Sequence, residues 1–491
     1  MRKKTVLALM IMAMAAIGLT GCGKDGKHVK LDPENPVSLT VWHYYNGAQQ
    51  ANFDALAEEF NATVGKEKGI YVEGYSQGSV SDLEQAISSS LAGEVGAGNL
   101  PDIFSSYADT AYSAQQEGRL VDLTEYFSKD EIAEYVDSYI EEGYFNGDGA
   151  LYLLPVAKST EITIMNKTDW EPFAQATGAT TEELSTVEGI TKAAQRYYEW
   201  TDSLTPDIPD DGKAFYGRDA MANYMIIGMK QMGQEIFEVK DGKAVLHTDR
   251  DLLHRLWENY YVPYVKGYFG AYGKFRSDDV KTGDILAYTG STSSVLYFPD
   301  RVETDDDSYP IEFVMLPAPV MEGGEDYRVQ QGAGMAVTRS DETHEYAASL
   351  FLKWFTEKDQ NLRFISDSGY MPVKKEANSM EVLDEVLADK NIKMNDKAYS
   401  CLSTVMMEYD HTRYYTTKNF ENGYQMRNIV DSSLSDRAEA DKAAIDEAVA
   451  AGADRKSEEE KYTTEDSFDS WYESFCTALE QAAGQNTAAE E

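Results

Sequence analysis

Apolar and polar positions alternate along residues 37–42 (VSLTVW), the rhythm of a half-buried strand. The rhythm then changes. Phe53, Leu56, Ala57 and Phe60 recur at i, i+3, i+4 and i+7, which gathers them on one helical face. Residues 70–75 predict a second strand and residues 83–91 a second helix, closed by the glycine-rich stretch 93–98. Leu100-Pro101-Asp102-Ile103-Phe104 opens a third strand. Strand–helix–strand alternation of this kind predicts a parallel, helix-covered sheet. The middle of the chain is more helical. Residues 237–248 (FEVKDGKAVLHT) predict a hairpin, with Asp241-Gly242 suited to the positive φ of a tight turn. Ala347, Leu350, Phe351, Trp354 and Phe355 form another apolar helix face, and Trp354 reads as core. Residues 431–491 carry 17 acidic and 5 basic residues, with Ile445, Val449, Phe468, Trp471, Phe475 and Leu479 among them. That mixture predicts helices packed on the body, with residues 485–491 fraying.

Composition narrows the class. The 491 residues allow two or three domains and a sizeable core. A hydrophobic fraction of 42% excludes a wholly disordered chain, which could not offset its ordering entropy. With 44 Lys+Arg against 85 Asp+Glu the net charge is −41, so the surface repels phosphate backbones and no nucleic-acid partner is expected. Tyrosine is abundant, 33 against 18 Phe and 6 Trp, and the use of that excess emerges only with the site. Three cysteines cannot build a disulfide framework.

The first residues have the layout of a leader. Arg2, Lys3 and Lys4 precede an apolar stretch over residues 6–17, too short for a comfortable membrane span of about 20 residues. It ends in Leu19-Thr20-Gly21-Cys22, which resembles the lipobox of bacterial lipoproteins. The resemblance implies a signal peptide over residues 1–21, a lipid on Cys22, and anchoring at the outer face of the cell membrane. Residues 22–36 read as a flexible tether. With Cys22 so used, Cys401 and Cys476 remain either a pair or two free thiols.

Enzyme signatures are missing from the chain. There is no P-loop, no G-x-S-x-G elbow and no H-E-x-x-H. Pro209 breaks the one calcium-loop-like run at 207–212, and the histidines and cysteines show no metal spacing. No metal, cofactor or catalytic residue is expected. Acid pairs are too numerous for counting alone to settle a glycosidase dyad.

Four segments fall into a familiar order: residues 39–61 (LTVWHYYNGAQQANFDALAEEFN), 99–123 (NLPDIFSSYADTAYSAQQEGRLVDL), 152–167 (YLLPVAKSTEITIMNK) and 331–373, which runs from QGAGMAVTRS to GYMPV. Together they resemble the extracellular solute-binding proteins of carbohydrate-uptake ABC transporters, the family that includes maltose-binding proteins. Residues 282–298 (TGDILAYTGSTSSVLYF) fit that family's strand and Ser/Gly-rich ligand loop. The resemblance implies an α/β fold of the two-lobe, periplasmic-binding-protein-like type II, with the ligand cleft between the lobes and a hinge. On this reading residues 37–157 with about 300–345 form the first lobe. Residues 158–299 with about 346–484, including the C-terminal helices, form the second, and the chain crosses near Val156 and Tyr297. The resemblance also implies a monomer that binds a sugar or oligosaccharide and hands it to a membrane permease. A secreted glycosidase is the alternative from another class.

Strands of open α/β sheets end at the ligand crevice. Trp42, His43, Tyr44 and Tyr45 are therefore candidate ligand contacts, as are Ser105, Ser106 and Tyr107, although a core or interface role competes for each. Ser159, Thr160 and Glu161 either hydrogen-bond ligand or satisfy a lobe crossover. Ser291, Thr292 and Ser293 either bind ligand or cap a helix. Gln331 and Gly332 complete the neutral set. Trp42-His43, Ser159-Thr160 and Gly369-Tyr370-Met371-Pro372 resemble the glycerol-3-phosphate-binding branch. That likeness implies a phosphate held by Tyr370 with Arg413 (or Arg427), the alternative to a neutral sugar.

Overall fold

The structure, a computed structural model, describes residues 26–484 apart from 146, 241 and 306. The lipobox with Cys22 and the tail from 485 onward lie outside the described residues. The elements that shape the site are the strands β1 (Val37–His43), β2 (Ile70–Ser76), β3 (Ile103–Ser106), β4 (Leu154–Pro155), β5 (Glu161–Asn166), β6 (Tyr216–Arg218), β7 (Phe237–Lys240), β8 (Lys243–Leu246), β9 (Ala287–Ser291), β10 (Arg301–Glu303), β11 (Ser308–Pro310), β12 (Phe313–Pro317), β13 (Tyr327–Val329), β14 (Gly334–Val337) and β15 (Arg413–Tyr415). With them go the helices α1 (Gly47–Ala62), α2 (Val80–Leu91), α3 (Ala108–Gln116), α4 (Asp137–Glu141), α5 (Met221–Gln231), α6 (Glu342–Phe355), α7 (Lys358–Ile365), α8 (Asp396–Glu408), α9 (Gly423–Ala450) and α10 (Glu465–Ala482).

Two sheets carry the two lobes. The first has the order β2-β1-β3-β14-β4, with β1 parallel to β2 and β3 and with β14 antiparallel to β3. Leu39, Val41 and His43, alternate residues of β1, are all buried. Phe53 and Phe60, from the apolar face of α1, meet Phe351 of α6, and Phe53 also meets Phe355. The second sheet has the order β12-β5-β9-β6, and all six residues of β5 are buried. Its core extends into α9 and α10, where Ile445, Phe468, Trp471, Phe475 and Leu479 pack inward as their spacing predicts. The hairpin over 237–248 forms as β7 and β8.

Three expectations need correction. β12 pairs with β5 while β14 pairs with β3, so the return crossing runs through residues 318–333 and not near Tyr297. Helices α6 and α7 pack on the first lobe, because the Phe351–Phe355 face finds its partners on α1, so the stretch from 346 does not begin the second lobe. The tether is not free over its described residues, 26–36. Leu31 packs against the first core, the Lys27 amide donates to the Glu125 carbonyl at 2.6 Å, and Lys27 Nζ lies 3.0 Å from Glu125 and 2.9 Å from Glu342.

The first two crossing segments run side by side, and the chain crosses a third time between α7 on the first lobe and α9 on the second. Ser159 and Gln331 exchange both backbone hydrogen bonds at 2.9 Å, and Lys158 is paired in the same way with Met371. Gly332, with φ +97°, makes this approach possible, since a Cβ there would sit 2.7 Å from the Ala157 carbonyl oxygen. Among the described residues no helix is long and apolar enough to cross a membrane. Cys401 is buried in the core and Cys476 is partly exposed, and both are free thiols.

Candidate functional site

A cavity of about 150 Å³ opens between the lobes. The first lobe contributes Tyr107 and Asp109 at the start of α3 and Glu142 just after α4. The crossing segment contributes Gln330, Gln331 and Gly332. The second lobe contributes Asn223 and Ile227 of α5, Phe237 of β7, and the chain from Tyr415 to Phe420 with Arg427 in the first turns of α9. Aromatic and aliphatic side chains are therefore interspersed with carboxylate, carboxamide and guanidinium groups, and each lobe contributes both kinds.

The charged groups are mostly matched. Lys158 Nζ is 1% exposed and donates to Glu142 Oε2 at 2.6 Å and to the Gly332 carbonyl at 2.7 Å. Gln330 Nε2 donates to the same Glu142 oxygen at 2.7 Å. Asp109 shares the cavity with Arg427; the surrounding protein raises its carboxyl above the usual range, and the nearby Arg427 opposes that rise. The side-chain oxygens of Gln330 and Gln331, two residues that line the cavity, are buried and have no protein partner.

Beside the cavity the phenols of Tyr44, Tyr107 and Tyr370 converge with the Ser293 hydroxyl, joining residues of both sheets. Burial is the main cause that lifts all three phenols above their ordinary range. Tyr107 belongs to this cluster and to the cavity wall. Gly369, with φ +67°, lets the Tyr370 loop reach the second lobe, because a Cβ there would fall 2.2 Å from the Thr292 carbonyl oxygen.

The sequence-predicted residues divide accordingly. Tyr107, Gln331 and Gly332 line the cavity, and Tyr44, Tyr370 and Ser293 stand next to it. His43, Tyr45 and Ser105 are core residues: the His43 ring stacks on Tyr45 at 4.8 Å, and Ser105 Oγ reaches the Tyr45 hydroxyl at 3.3 Å. Trp42 is half-buried against the cluster around Phe104. Ser106 is buried with its hydroxyl on the Tyr107 carbonyl at 2.7 Å. Ser159 and Thr160 are buried in the crossover, where Thr160 O accepts from the Thr292 amide at 2.8 Å. Ser291 caps the 3-10 turn Thr292–Tyr297, accepting from the Ser293 amide at 3.3 Å. Glu161 is buried behind the cavity in an ion pair with Arg218 at 2.7 Å.

Arg413 lies outside the cavity. It sits on β15, 63% exposed, paired with Glu325 and stacked on Tyr327, because β15 joins β13 at the outer edge of the crossing. Arg427 lines the cavity instead. Sequence reasoning missed Asp109, Glu142 and Asn223; Asp109, two residues past Tyr107 beyond the end of a predicted strand, carried the one readable signal. Among the described residues no group of His, Cys, Asp and Glu is arranged to hold a metal ion.

A family model described as bacterial extracellular solute-binding protein matches residues 55–394. No curated protein gives a significant match. Among solved structures, the chain is similar to the cyclic α-maltosyl-1,6-maltose binding protein from Arthrobacter globiformis, with 19% identity and a TM-score of 0.64 over 92% of this chain and 100% of that one. It is similar as well to UgpB from Mycobacterium tuberculosis, solved with glycerophosphocholine, with 18% identity and a TM-score of 0.64 over 91% and 99%. The Thermus thermophilus maltotriose-binding protein, solved with maltotriose, shows 15% identity and a TM-score of 0.56 over 90% and 99%. These likenesses agree on a two-lobe α/β fold, and because the family match extends over well more than half of its length, the chain belongs to the bacterial extracellular solute-binding proteins.

Proposed function

We propose that the protein captures a neutral sugar or short oligosaccharide between its lobes and delivers it to an ABC permease, held at the outer face of the membrane by a lipid on Cys22. The observation that carries this reading is the chemistry of the interlobe cavity. Tyr107, Phe237, Tyr415 and Phe420 bring aromatic rings to it, as suits the C–H faces of a sugar, and Asp109, Asn223, Gln330, Gln331 and Arg427 supply hydrogen-bonding groups for its hydroxyls. Relatives with the same fold are named for maltose-type oligosaccharides, which supports the assignment. Ligand that touches both lobes stabilises their closed arrangement, a population shift without bond chemistry.

A phosphate-bearing polyol is the second reading, favoured by Arg427 in the cavity and by the glycerophosphocholine-bound relative. Charge balance weighs against it. Asp109 stands in the same cavity as Arg427, Glu142 is neutralised by Lys158, and Arg413 is turned to the outer surface, away from Tyr370. An added phosphate would meet Asp109 beside Arg427, and the other cation of the lining, Lys418, is a 75% exposed side chain.

A thermal-shift screen on the protein from residue 22 onward, with maltotriose, mannotriose, glycerol-3-phosphate and glycerophosphocholine, tests both readings. A neutral sugar at a hundredfold excess over its Kd stabilises by about 2.7 kcal/mol, or about 5–11 °C for a lobe-sized unit. Arg413→Ala is expected to leave that shift in place, while Arg427→Ala weakens binding at least about tenfold, the effect of losing one charged hydrogen bond. A shift confined to the phosphate ligands would overturn the neutral-sugar reading, and conversion of a sugar to products would revive the glycosidase.

A further inference from the structure

Behind the cavity lies a chain of four polar side chains from four different elements. Arg218 of β6 donates through Nη2 to Glu161 Oε2 at 2.7 Å, and both side chains are 6% exposed. The other carboxylate oxygen, Oε1, accepts from Asn223 Nδ2 at 2.9 Å. The far end of that amide, Oδ1, accepts from Arg427 Nη2 at 2.7 Å. Arg427 reaches the cavity, whereas Arg218 and Glu161 stay out of it. The Arg218 guanidinium is fixed in turn by stacking over the Tyr224 ring at 5.1 Å.

We infer that Arg218, Glu161 and Asn223 are positioning residues that aim Arg427 at the opposite lobe. The order of charges makes the chain directional. A carboxylate takes the NH₂ end of Asn223, so the carbonyl end must point to the cavity, where it accepts from a guanidinium; the flipped amide would set its oxygen against Glu161. A buried ion pair at the origin polarises the links beyond it. A second contact fixes the helices that carry the last two links: the Ala222 amide of α5 donates to Asp431 Oδ1 of α9 at 2.7 Å, one turn beyond Arg427. Arg427 is itself exposed, so without Asn223 its long side chain has the freedom of a surface arginine. Glu161 thus acts on the solute through Arg427 and not by contact. This role rests on the reading that the cavity takes the solute, but the chain's geometry can be tested without one.

The test uses the protein from residue 22 onward with labelled arginine, and observes guanidinium nitrogens by NMR. A guanidinium held by Asn223 rotates slowly about Cζ–Nη and gives resolved Nη signals, assigned by their loss in Arg427→Lys. Arg218→Met with Glu161→Met removes the buried pair together, so that no charge is left stranded and the melting temperature changes little. In that variant and in Asn223→Leu the resolved Arg427 signals are expected to collapse to the averaged signal of a free arginine. Their persistence in both variants would overturn the inference, since a purely structural ion pair leaves Arg427 untouched. Titration with maltotriose separates the two readings. If maltotriose binds, the double Met substitution and Arg427→Ala should each weaken it, and their combination should weaken it no further; additive losses count against the chain. Failure of every neutral sugar to bind while the signals collapse sinks the sugar reading and leaves the positioning chain standing.

Discussion

Replacing Lys158 by Met removes one charge from a place where its partner cannot follow it into water. Lys158 is 1% exposed and Glu142 12%, so the carboxylate would keep Gln330 Nε2 as its neighbour and lose its cation. The Gly332 carbonyl loses its donor in the same step. Stranding one half of a buried pair costs about 3–5 kcal/mol. For a cooperative unit of the size of one lobe, at 2–4 °C per kcal/mol, the melting temperature should fall by about 6–20 °C. Differential scanning calorimetry at pH 7 reads the effect directly. Adding Glu142→Gln to Lys158→Met removes the stranded charge and should recover a substantial part of the loss. A single variant that melts within about 2 °C of the parent would refute the argument, because exposed pairs contribute only about 0–1 kcal/mol. So would a double variant no better than the single one.

Other consequences follow from buried groups. His43 is fully buried and its pKa is lowered by burial from 6.5 to about 4. The fold prefers the neutral ring, so its contribution is present above pH 6.5 and is lost as pH falls toward 4. That loss is about 3 kcal/mol, and urea unfolding of the parent and of His43→Gln across this window should diverge by it; parallel profiles would contradict the assignment. Gly332→Ala puts a Cβ 2.7 Å from the Ala157 carbonyl at φ +97° and should cost about 2–5 kcal/mol, read as a lower urea midpoint; an unchanged midpoint would refute the close approach. Burial raises the Cys401 thiol well above its ordinary range, so iodoacetamide at pH 8 should label Cys476 in the native protein and Cys401 only after unfolding. Native labelling of Cys401, or a mass showing the two cysteines joined, would count against that.

Legibility differed between elements for physical reasons. The first sheet and α1 could be read because their signal is local: alternation in β1 and the Phe53–Phe60 stripe each state their own burial. The same alternation puts His43 with Leu39 and Val41, so its core position was available to period-2 reasoning even though its place at a strand end suggested a ligand. Partner choice was not local. The stripe on α6 says that a face is buried but not on which sheet, and the lobe boundary went astray there. Glu161 and Arg218 are 57 residues apart, and nothing in either neighbourhood announces the other. The choice between Arg413 and Arg427 depended on where an irregular segment turns into α9, which no periodicity records. In the site, Tyr107 at a strand end and Gln331-Gly332 in a crossing loop were readable, whereas charges that meet across the cleft were products of the fold.

The paired crossing segments have a mechanical meaning. Ser159 with Gln331 and Lys158 with Met371 form a short strip of hydrogen-bonded backbone between the lobes. Such a strip bends across its width far more easily than it stretches or shears, because bending only tilts its hydrogen bonds while the other motions break them. Relative movement of the lobes is therefore channelled toward rotation about a single axis, in the manner of a leaf spring. A jaw of this type widens most at its mouth and least at its root, where Gln331 and Gly332 sit. On the proposed sugar-binding reading, a bound chain of sugars would be released from its outer end inward, with the residues nearest the strip the last to let go.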